Sequence, residues 1–257
     1  MTMENSEMIN LTLLKHIIKA NWRLWLFFTG TMAAILIFVM SLLYLGGVEK
    51  FISVALPEFH SVIGMGLYAG PFILISMIYT VVLVYRLVVE PLETKTMSYY
   101  LSTQNSRQRV ITTQGYFLVL SLFFMILSLS LLGLFYNWIW GSQKLEISIF
   151  LLLNVGLFCL QTSISGISFL VACISRRKKH YYWLGVGLPV LFSCISVLEY
   201  VSGMTGLRFL TPLSLYSPEQ IVRGSIHICW RLPLLALTGL ILYQVGVRRF
   251  ERRDLAL

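Results

Sequence analysis

The stretch EPLETKTMSYYLSTQNSRQR, residues 90–109, is a polar island between two of the longest apolar runs of the chain. Pro91 lacks the amide proton that would carry on the helix arriving through Leu87 and Val88, but its fixed φ suits the first turn of a new helix. A short helix over 91–101 is therefore expected. Glu93 falls in its first turn, where a carboxylate interacts favourably with the helix dipole, and the polar run 102–106 should end it. Arg107 and Arg109 then mark a boundary before the chain becomes apolar again.

Working outward from that island, the composition admits one class of protein. The chain has 257 residues, 57% hydrophobic and 12% charged, with a mean hydropathy of +0.79, which excludes a soluble globular domain. Crossing a bilayer takes roughly 20 mostly apolar residues in a helix. Six segments reach that length: 24–45, 62–89, 115–136, 147–174, 181–201 and 226–247. The reading is thus all-α and polytopic, one transmembrane unit over 1–257, with both termini on the same side. Fifteen Lys and Arg lie on the side of the termini and the 90–109 loop, against five on the other, although the acidic residues divide almost evenly. The positive-inside rule puts the termini and the 90–109 loop in the cytoplasm of a multi-pass cell-membrane protein. The net charge of +9 is thereby explained by topology, and no nucleic-acid partner is implied.

The connections carry their own signals. Residues 8–23, within the 1–23 lead, form an amphipathic helix. Ile9, Leu13, Leu14, Ile17 and Ile18 make its apolar face, and Lys15, His16, Lys19 and Arg23 its basic stripe, a pattern that lies in the membrane interface and touches lipid. Trp22 and Trp25 suit headgroup level. So do Tyr136, Trp138 and Trp140 at the outer end of the third span, and Tyr181, Tyr182 and Trp183 at the inner end of the fifth. The basic run 176–180 reads by default as a topology signal, with anionic lipid as the alternative. Gly66 and Gly70 have the spacing of close helix packing, within the chain or between two copies. In the external connection 202–225, the stretch 206–215 is too short to span and dips toward the outer leaflet. There Ser217, Pro218 and Gln220 have capping-box spacing, so a helix should start and lead, directly or after a short kink, into the sixth span.

Catalytic chemistry has little to work with. The only aspartate is Asp254, in the tail; His16, His60, His180 and His227 are scattered; and Cys159, Cys173, Cys194 and Cys229 sit in or beside apolar spans as packing residues. There is no HExxH, GxSxG or GxxxxGK[ST] sequence, so no metal site, nucleophile elbow or ATP-binding loop is expected in this chain. Glu199 and Arg231 stand near the outer boundary, where charge is costly unless paired or wet. Either they pair as a gate at the extracellular mouth, or both snorkel to headgroups.

In order along the 90–109 loop, Glu93, Thr96, Met97, Leu101, Ser102, Thr103 and Arg107 resemble the loop between the second and third spans of the type-2 ABC transporter permeases. Lys95 stands where that family usually has Gly, and Gln104 where it has Pro. Phe250, Arg253, Asp254 and Leu255 are similar to the family's Phe-x-x-Arg-Asp-Leu tail, and the number of spans agrees over the full length. The resemblance implies the membrane subunit of an ATP-driven exporter in a bacterial plasma membrane, working as a homodimer or as a heterodimer with a related permease. ATP and Mg would be bound by a separate cytoplasmic ABC ATPase. On this expectation Pro91, Glu93, Thr96, Met97, Leu101 and Arg107 couple to that ATPase, and the amphipathic lead is either an elbow helix touching it or a surface anchor.

Spans rich in Phe, Leu and Met and nearly free of charge suit an amphiphilic cargo, and the resemblance adds antimicrobial peptides, lipid-like molecules and drugs. A non-transporting membrane scaffold or sensor paired with an ATPase is the alternative. An intramembrane enzyme is disfavoured.

Overall fold

The computed structural model describes residues 11–44, 64–94, 107–140, 145–175, 178–202, 211–225 and 228–252, and every regular element among them is helical. The long helices are α1 (Leu11–Tyr44), α2 (Pro71–Val84), α3 (Arg107–Trp140), α4 (Ile147–Ile174), α5 (Gly187–Ser202) and α6 (Ile228–Glu251). α2 is extended on both sides by π turns, Gly64–Tyr68 before it and Tyr85–Val89 after it, and closes with the single turn Glu90–Glu93. α5 is preceded by the turn Lys178–His180 and a third π turn, Tyr181–Val186.

Five helical stretches are long and apolar enough to cross a membrane: Leu11–Leu43, Gly66–Glu93, Gln108–Trp140, Ile147–Ile174 and Trp230–Glu251. These match five of the six expected crossings. The sixth, 181–201, is helical along its length but is not among the five.

α4 is the hub, packed against α2, α3 and α6. Gly66–Glu93 and α4 are the most buried crossings, and α1 is the least. Side-chain pairings fix the directions. Phe123 meets Phe158 and Gly115 lies against Phe169, so α3 runs antiparallel to α4. Ser163 bonds Thr238 at 3.2 Å, Tyr243 bonds Ser165 at 2.8 Å and Gly246 lies against Phe169, so α6 runs parallel to α4. The start of α3 and the ends of Glu90–Glu93, α4 and α6 therefore gather at one end, together with Arg109, Lys178, Arg248 and Arg249.

Packing at the α4–α6 seam is set by small residues. A Cβ on Gly239 would stand 2.8 Å from the Thr162 carbonyl oxygen, and one on Gly166 would stand 2.8 Å from the Gly239 carbonyl oxygen. The two backbones thus approach as closely as glycine permits, the usual way apolar helices associate when no hydrophobic drive separates protein from lipid. Gly66 and Gly70, whose spacing suggested such a contact, have open space where a Cβ would stand, with nothing within 4 Å. Close approach within the described chain occurs at Gly166 and Gly239.

Several expectations change in detail. The amphipathic lead has no loop between it and the first crossing, because 11–44 is one helix of about 50 Å. Its apolar face divides. Leu13 and Ile17 are buried against the rest of the chain, while Ile18 and Trp22 stay exposed. Trp25 turns inward and donates its indole N–H to the Ser121 carbonyl of α3 at 3.0 Å. Tyr181, expected at headgroup level, is fully buried, whereas Tyr182 and Trp183 are exposed. In the 202–225 connection, helix Pro218–Val222 starts at Ser217 as expected, but no capping box forms. Gln220 is engaged by Arg231 instead, and of the two expected routes into α6 the direct one is absent and a break precedes it. Helix Pro218–Val222 stops at Gly224 (φ 68°), where the Gly224 N–H bonds the Ile221 carbonyl and the Ser225 N–H bonds the Gln220 carbonyl, a left-handed helix stop that suits glycine. Residues 203–210 lie outside the described residues, but Leu213, Tyr216 and Ile221 bury themselves in the bundle, with the Tyr216 ring against Gly156.

Candidate functional site

The base of the 90–109 loop forms a polar junction with the start of the turn Lys178–His180. It begins with a proline problem. Pro91 can donate no hydrogen bond to the preceding turn, and the helix is already widened there, with the Glu90 N–H bonding the Tyr85 carbonyl five residues back. Pro91 then occupies the first turn of Glu90–Glu93 and the helix ends at Thr94, whose N–H bonds the Glu90 carbonyl at 3.0 Å. The separate helix expected over 91–101 is instead a single turn, Glu90–Glu93, continuous with the arriving helix, and residues 95–101 lie outside the described residues.

Glu93 is held from across the bundle. Its Oε1 accepts the backbone N–H of Lys178 at 3.3 Å, and its Oε2 lies 3.6 Å from the Lys178 ammonium. The carboxylate thus meets both the charge of Lys178 and an amide at the start of the turn that leads into α5. Beneath this contact two π turns stand side by side. The Tyr85 ring stacks on Tyr182 at 5.5 Å between centroids and lies 6.2 Å from Tyr181. The Tyr181 hydroxyl donates to the Val81 carbonyl at 2.8 Å, and the Ser168 hydroxyl of α4 donates to the Gly185 carbonyl at 2.9 Å. The Gly185 carbonyl lies in a widened turn and is taken up by the Ser168 hydroxyl, whereas the Val81 carbonyl already accepts the Tyr85 N–H and receives Tyr181 as a second donor. The loop base, α4 and the start of α5 are tied together by these bonds.

Of the residues singled out in the sequence, Pro91 and Glu93 sit at this junction. Thr96, Met97 and Leu101 lie outside the described residues. Arg107 begins α3, with its side chain outside the description. Glu199 lies in α5, and its side chain is likewise not described. Arg231 lies in α6, where its Nη1 donates to the Gln220 Oε1 at 2.6 Å and its guanidinium stands 5.7 Å from the Trp230 ring. The bond ties the helix Pro218–Val222 to α6. Reasoning from sequence missed Lys178 and the tyrosines 85, 181 and 182. The basic run 176–180 read as a topology signal and the tyrosines as a belt, and only the adjacency of an aromatic pair to that run hinted at a junction.

Among the described residues no group of His, Cys, Asp and Glu could hold a metal ion. The long apolar helices are those of a multi-pass membrane protein. No family model, no curated protein and no solved structure matches the chain.

Proposed function

We propose that this chain is the membrane-spanning subunit of an ATP-driven exporter, with six crossings and both termini in the cytoplasm, acting as a dimer with itself or a related permease. The observation that carries the reading is the anchored loop base. A polar loop that follows a proline turn is joined through Glu93 to Lys178, and through the tyrosine stack to the start of α5. A push on such a loop reaches two crossings at once. The motor would be a separate cytoplasmic ATPase, which binds ATP and Mg and docks on residues 91–101. Closure of two ATPases would tilt the crossings from inward-open to outward-open, a rigid-body change that nucleotide drives only through different contacts in the two states. The cargo would be amphiphilic, because α2 and α4 carry no Asp, Glu, His, Lys or Arg.

The test is reconstitution with the ATPase in sealed vesicles, with a fluorescent amphiphilic peptide as cargo. Glu93→Ala, Met97→Ala and Arg107→Ala should each uncouple ATP hydrolysis from cargo movement. If all three leave both unchanged, the loop is not the coupling element. ATPase association without vectorial movement would instead mark a scaffold.

A further inference from the structure

The second crossing is broken near its outer end. The π turn Gly64–Tyr68 is followed by a turn at Ala69 and Gly70, and the helix restarts at Pro71. Gly70 stands at φ −133°, ψ −88°, and no side chain caps the N–H groups that open α2.

Three buried oxygens flank this break without a hydrogen-bond partner among the described residues: the Tyr68 hydroxyl, Asn154 Oδ1 and Gln161 Oε1. Tyr68 precedes the break, and its hydroxyl faces the Asn154 side chain and interacts with it, although the two make no direct hydrogen bond of normal geometry. Gln161 reaches the first turn after it, its Nε2 donating to the Ile73 carbonyl at 3.1 Å. The Asn154 Nδ2 donates to the Phe150 carbonyl at 2.9 Å. These bonds fix both amide orientations, because turning either over would set oxygen against a carbonyl oxygen. The groups left over on the amides are therefore acceptors. Asn154 and Gln161 are seven residues apart on α4, which places them on one face about 10 Å from each other. Neither Gly64–Val84 nor α4 carries an Asp, Glu, His, Lys or Arg, so a bound ion would lack a counter-charge. The complementary ligand is small and neutral, and able both to donate and to accept.

We propose that the break in the second crossing is a buried hydration site. Water donates to Gln161 Oε1, to Asn154 Oδ1 and to the Tyr68 hydroxyl, and accepts from the uncapped N–H groups that open α2, giving each molecule the two to four partners a buried water needs. A wet break lets Gly64–Tyr68 change its angle to α2 without stranding backbone groups in lipid. The proposal stands apart from the transport reading, since it concerns the fold at rest.

Radiolytic hydroxyl-radical footprinting of the full chain in lipid nanodiscs tests it, because a bound water generates the radical in place. Tyr68 and Tyr181 are equally buried, both at 0% exposure, but the Tyr181 hydroxyl is satisfied by the Val81 carbonyl. Tyr68 should be modified several-fold faster than Tyr181. Asn154→Leu should bring its rate down to that of Tyr181. Equal rates in the unaltered protein, or a Tyr68 rate that Asn154→Leu leaves unchanged, would overturn the assignment.

Discussion

Tyr181 and Tyr182 are neighbours in sequence with opposite surroundings. The first donates a hydrogen bond inside the bundle and the second faces outward at 50% exposure. Tyr181→Phe should therefore destabilise the protein by about 1 kcal/mol, because it removes the extra donor to the Val81 carbonyl, while Tyr182→Phe should leave thermal unfolding in detergent unmoved. Glu93 is a different kind of residue. Its ion pair is partly exposed, with Lys178 at 57%, so the pair contributes less than about 1 kcal/mol. Glu93→Gln should thus leave the unfolding temperature nearly constant while lowering coupled ATP hydrolysis, and a large loss of stability would argue for a merely structural role. The place of Glu93 was legible, since a proline followed by an acidic residue marks a helix turn on local grounds. Its partner was not, because Lys178 lies 85 residues away and nothing local couples the two.

At the scale of elements, apolar run length located the five helices long and apolar enough to cross a membrane, because a lipid-facing helix carries the apolar signal along its whole length. Breaks and seams were less visible. They depend on which faces meet, and a nearly uniform apolar run hides its faces. The spacing of Gly66 and Gly70 pointed to close packing, yet the tight contact lies between Gly166 and Gly239, on helices separated in sequence. Gly239→Ala should force α4 and α6 apart at a cost of about 1–3 kcal/mol, measured as loss of thermal stability. Gly66→Ala should stay within about 0.5 kcal/mol of the parent protein. Gly224→Ala should cost about 1–2 kcal/mol, because its left-handed backbone closes helix Pro218–Val222. The capping box at Ser217 failed for a long-range reason, in that Arg231 takes the Gln220 oxygen.

For the whole molecule, the length of the apolar runs foretold an all-helical chain, and five of its helices are long and apolar enough to cross a membrane. The proposed coupling to a motor rests on residues 91–101, of which Thr96, Met97 and Leu101 carry the family-like order. Its most direct test is photo-cross-linking from Met97→Cys, carrying a benzophenone, in the organism's own membranes in the presence of ATP. The account predicts an adduct with a cytoplasmic protein that binds ATP. Adducts confined to lipid, or to proteins outside the cell, would contradict it.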